Sequence, residues 1–118
     1  MNNEPILFLA SHASRPGTDP GEGWDAVMVC AAFDRRTTVL LLDDGVRLLT
    51  GVSGEGLVAA MDAGLEAIHV DAEAFAKEFR ATPPARQAQE PNIALRFTTI
   101  DRAAMRALIE THTTVISL

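Results

Sequence analysis

Apolar positions in this chain come as short unbroken runs separated by longer stretches in which they recur three or four residues apart. Ile6-Leu7-Phe8-Leu9-Ala10 is one such run, and Thr38-Val39-Leu40-Leu41-Leu42 is another, with no alternation in either. Runs of this kind suit strands covered on both faces, as in a parallel sheet. The first predicts strand one over Ile6–Ala10. The second predicts strand two over Thr37–Asp43, followed by a sharp turn at Gly45 and a short segment Val46–Leu49. Gly45 is expected there to supply a left-handed or tight backbone. Ala67-Ile68-His69-Val70 predicts strand three, Ile93–Phe97 strand four, and Thr113–Leu118 a closing strand.

Between these runs the period changes. Trp24, Val27, Met28 and Ala31 fall on one face of a helix predicted from Glu22 to Phe33. Leu57–Ala63 reads as a second helix bounded by Gly54, Gly56 and Gly64. Asp71 is placed to cap a third, which carries Phe75 and Phe79 four residues apart. A fourth begins near Asp101, with Ala104, Met105, Leu108 and Ile109 on one side and Arg102, Arg106 and Glu110 on the other. Ser11–Pro20 and the proline-containing Ala81–Asn92 read as loops. Strand and helix thus alternate five times, which implies right-handed βαβ units. The predicted fold is a single α/β domain over residues 1–118, doubly wound, with a mainly parallel five-stranded sheet and helices on both faces. Strand order does not follow from the pattern.

Composition narrows the function classes. The chain has 118 residues, enough for one core and too few for two. Its net charge of −6 and its lack of any Lys/Arg cluster argue against direct nucleic-acid or anionic-membrane binding. The amino terminus has no basic region, and the apolar run after it is too short for a signal-peptide core. No stretch reaches the roughly 18 apolar residues of a membrane span. A cytoplasmic location is the expectation. One cysteine excludes an internal disulfide and a cysteine-based zinc site.

Candidate chemistry gathers at the carboxyl ends of the strands, where open α/β sheets bind ligands. That rim should bring together Ser11, His12, Asp43, Asp44, Asp71 and Thr98, with Arg15 as the nearest base. Asp43 and Asp44 could hold a metal or serve as acid and base, although capping the next helix is the simpler use. The loop Gly17–Gly23 has glycines but no Gly-Lys-Ser/Thr, so it is weak as a phosphate site. His12, His69 and His112 have no metal-motif spacing. Cys30 falls late in helix one among apolar neighbours, where the helix dipole disfavours a thiolate, and reads as a core cysteine more readily than as a nucleophile. No triad order or nucleophile elbow is present. No metal, cofactor or catalytic residue is assigned.

The stretch from Cys30 to Gly51 resembles the hallmark of the DsrE/DsrF sulfur-relay family, nearest its DsrF/TusC branch. Glu22-Gly23-Trp24-Asp25-Ala26 is similar to that branch's E-G-L-D-A helix start, with Trp24 replacing leucine. Asp43-Asp44-Gly45-Val46 and then Leu49 resemble its D-D-G-V-x-x-L turn, and Val70-Asp71 and Thr113–Leu118 its third and closing strands. The DsrE/TusD branch carries its persulfide cysteine just past strand three, where this chain reads His69-Val70-Asp71-Ala72. Gly51–Gly64 also departs from the family, whose members tend to carry a longer, aromatic-containing stretch there. The resemblance implies a noncatalytic subunit beside DsrE/TusD-like and DsrH/TusB-like sisters and small sulfur-carrier proteins, in sulfur oxidation or tRNA thiolation. Two other classes stay open from the residues themselves. One is a sulfurtransferase using Cys30, and the other a small-ligand module at the rim of His12, Asp43, Asp44, Gly45 and Asp71. A homo-oligomer is the alternative assembly.

Overall fold

The computed structural model describes residues 4–11, 22–33, 36–79 and 90–118, with backbone alone for 22–26. The chain runs β1 (Ile6–Ala10), α1 (Glu22–Ala32), β2 (Thr37–Leu41), a 3-10 helix (Asp43–Leu49) and α2 (Gly51–Ala63). It continues through β3 (Ala67–Asp71), α3 (Ala72–Phe79), β4 (Thr98–Ile100), α4 (Arg102–Glu110) and β5 (Thr114–Ser117). The strands form one parallel sheet in the order β4-β3-β2-β1-β5. The fold is the expected α/β architecture.

Topology assigns the layers. The crossovers β1→β2, β2→β3 and β3→β4 all step the same way, so right-handed connections put α1, α2 and α3 on one face. The return from β4 to β5 steps back across the whole sheet and puts α4 on the other. Side-chain parity agrees. Ile6, Phe8, Val39, Leu41, Ile68 and Val70 join one core cluster with Val27 of α1 and Leu57 and Ala60 of α2. Leu7 and Leu40, of opposite parity, are fully buried on the α4 face. Every residue of β2 is buried, which is why its sequence shows no alternation.

Most ends agree with the sequence reading to within one residue, and three elements differ by more. Strand two ends at Leu41, because the 3-10 helix has already begun at Asp43. The second helix starts at Gly51, six residues before Leu57. Gly54 is tolerated inside it because a side chain would lie 2.5 Å from the Leu49 carbonyl oxygen, so only glycine allows this close packing. The fourth strand is Thr98–Ile100, not Ile93–Phe97. Asn92 Oδ1 accepts from the Ala94 amide at 2.9 Å, a local turn that competes with sheet pairing. Leu95 and Phe97 instead fill the core edge, where the Phe97 ring centroid lies 5.6 Å from that of Phe75.

Candidate functional site

The turn after β2 places the acidic pair. Leu42 donates its amide to the Ala10 carbonyl at 2.9 Å, and Gly45 donates to the Leu42 carbonyl at 2.8 Å. The chain therefore folds directly over the end of β1. A Cβ at Gly45 would overlap the Ala10 carbonyl oxygen, so glycine is required by proximity. Of the left-handed or tight backbone expected at Gly45, the tight one is found, and the positive φ falls on Asp43, at 49°. Asp43 and Asp44 are exposed in the first turn of the 3-10 helix, where carboxylates suit the helix dipole. Neither forms a capping hydrogen bond; the N-cap position is Leu42. The capping use expected of them is therefore not made.

Asp71 does cap, as its position implied. Its Oδ1 accepts from the Glu73 amide at 3.0 Å and from the Ala74 amide at 3.4 Å. With Asp43, Asp44 and Asp71 along its wall, a cavity of about 750 Å³ opens at the carboxyl ends of β2 and β3. The rim expected from the sequence thus gathers these three, with Gly45 buried beneath. Ser11 follows β1 and is half-buried. Thr98 does not belong to the rim: it opens β4, and the carboxyl end of that strand is Ile100 followed by Asp101. His12 and Arg15 lie outside the described residues, as does most of the Gly17–Gly23 loop.

Sequence reasoning missed the basic half of the cavity. Arg47 of the 3-10 helix pairs with Glu78 of α3 at 3.3 Å, and Arg102 of α4 approaches Glu73 at 3.8 Å. Lys77 joins the lining without an ion pair among the described residues. The signal was present in Glu73, Lys77 and Glu78, which sit on the polar side of a helix immediately after a strand-end acid. Both ion pairs are substantially solvent-exposed and contribute little to stability. Their effect is to leave the cavity lined with both charge signs. No group of His, Cys, Asp and Glu among the described residues could hold a metal ion.

Cys30 lies at the other end of the sheet. Helix α1 runs antiparallel to the strands, so its final turn returns to the amino-terminal ends of β2 and β3. Gly64, just before β3, abuts the Ala31 carbonyl there. The Cys30 side chain is half-buried and packs against the core. Beside it, Val29 on α1 and Phe33 just past its end are 56% and 76% exposed.

Two histidines influence each other electrostatically. His69 projects from β3 with the parity of Ala67 and Asp71, and among the described residues its buried Nδ1 has no hydrogen-bond partner. Burial lowers its pKa from the ordinary 6.5, and repulsion from His112 adds to the effect. His112 Nδ1 is 2.7 Å from the Leu108 carbonyl oxygen, so that nitrogen carries a proton. No family model matches this chain, and no curated protein matches it either.

Proposed function

We propose that this chain is a noncatalytic subunit of a cytoplasmic sulfur-relay assembly of the Dsr or Tus kind, supporting persulfide transfer by sister subunits. The observation that carries this reading is the position of its one cysteine. A carrier thiol must be accessible to incoming and outgoing partners. Cys30 is half-buried against the core, at the end of the sheet opposite the rim where the resembling DsrE/TusD branch holds its persulfide. Past β3 this chain reads Asp71-Ala72 and offers no thiol, and the Asp71 carboxylate caps α3 instead. The exposed pair Val29 and Phe33 supplies apolar surface of the kind that assembly contacts use.

Coexpression with DsrE/TusD-like and DsrH/TusB-like subunits from the same genome tests this. A complex containing this chain is the expected result, weakened by Phe33→Asp. Failure to associate with any such sister would sink the proposal.

A second reading, a small-ligand module, is favoured by the cavity itself. Its lining offers Asp43 and Asp44 alongside Lys77, which suits a small zwitterion. A saturable thermal shift with a free amino acid, lost in Lys77→Ala, is what that reading requires; flat titrations across the amino acids would remove it.

A further inference from the structure

The charges around the rim cavity divide into those already paired and those left over. Among the described residues, five carboxylates and three bases line it, an excess of two negative charges. Two of the bases are taken, Arg47 by Glu78 at 3.3 Å and Arg102 by Glu73 at 3.8 Å. Each pair joins α3 to a different neighbour, the 3-10 helix in one case and α4 in the other. Asp71 is committed to the Glu73 and Ala74 amides. What remains is Asp43 and Asp44 on the 3-10 helix and Lys77 on α3, none of them ion-paired among the described residues.

These three groups define the charge of what fits between them. Lys77 follows Glu73 by one helical turn, an arrangement in which such residues commonly pair, yet Glu73 turns to Arg102. The Lys77 ammonium is thereby left to a carboxylate from outside. Asp43 and Asp44 together call for two positive charges, one more than a neutral amino acid carries. A ligand of net negative charge meets the acidic excess of the wall and the −6 of the whole chain, and both disfavour it. The volume of about 750 Å³ is within the ~300–1,000 Å³ of small-molecule sites.

We propose that the cavity takes a basic amino acid, of the lysine, ornithine or arginine class. Its carboxylate meets Lys77, and its two cationic groups meet Asp43 and Asp44. The inference rests on the small-ligand reading and narrows it, from any small zwitterion to one with a cationic side chain. It is independent of whether Cys30 carries sulfur.

Calorimetric titration with lysine, norleucine and cadaverine tests it, because norleucine lacks the side-chain ammonium and cadaverine lacks the carboxylate. Lysine should bind most tightly of the three, and more weakly as salt is raised. Asp43→Asn combined with Asp44→Asn should weaken lysine by about three- to tenfold, the scale of two exposed ion pairs, and remove its advantage over norleucine. Lys77→Ala should weaken lysine and norleucine by about threefold and spare cadaverine. All three side chains are exposed, so the far-UV spectrum of each variant should be unchanged. Norleucine binding as tightly as lysine would overturn the basic class and leave the small-zwitterion reading standing. Cadaverine matching lysine, or lysine binding indifferent to both variants, would overturn the proposed contacts. No binding by any amino acid, glycine and glutamate included, would remove the inference and the small-ligand reading together.

Discussion

Of the two backbone features that Gly45 could supply, a tight approach or a left-handed conformation, it supplies the first, and Asp43 takes the second. Asp43 takes the left-handed backbone at φ 49°, which costs a residue with a Cβ roughly 1 kcal/mol. Gly45 allows the turn to rest on the Ala10 carbonyl. Gly45→Ala should therefore destabilise by about 1–3 kcal/mol through overpacking against backbone, whereas Asp43→Gly should be near neutral. Urea unfolding of the pair checks this, and equal losses would refute the division. His69 makes a second residue-scale prediction. Folding lowers its pKa, so below 6.5 the unfolded state binds more protons than the folded one. The stability this histidine contributes is complete above that pH and is lost as pH falls through its lower folded value. His69→Leu should flatten the acid limb of stability measured by urea; an unchanged limb would mean that other groups produce it.

At the scale of elements, the sequence was most legible where burial is uniform. β1 and β2 read correctly as unbroken apolar runs because both faces of the sheet are covered. The strand expected at Ile93–Phe97 failed for a definite reason. Its apolar residues are shared between an Asx turn at Asn92 and core positions at Leu95 and Phe97, and only Thr98–Ile100 reaches the β3 ladder. The extension of α2 back to Gly51 was hidden by glycines, since Gly54 serves close packing on Leu49 and propensity counts against it. Caps were readable: Asp71 and Asp101 each accept an amide three residues on, Asp101 at 2.8 Å. Asp101→Ala should cost about 1 kcal/mol, with Asp101→Asn largely retaining stability. Equal destabilisation by both would assign the effect to charge. Of the candidate site, the acids Asp43, Asp44 and Asp71 were legible from strand ends. Lys77 left a trace in the polar side of α3, but Arg47 and Arg102 did not, because their convergence on the rim depends on how the 3-10 helix and α4 sit over it.

For the whole molecule, parallel topology separates two ends with different chemistry. The rim holds the cavity and its mixed charges, while Cys30 sits on the last turns of α1 at the far end. This separation underlies the noncatalytic reading: the thiol and the strand-end site cannot act together within one copy. Among the described residues, no helix is long and apolar enough to cross a membrane. The central claim is that sulfur passes through sister subunits and not through this chain. Intact mass of the native protein after exposure to a persulfide donor, with Cys30→Ser as control, tests it most directly. No added sulfur is the expected result. Gain of one sulfur atom that disappears in Cys30→Ser would make this chain a carrier and contradict the account.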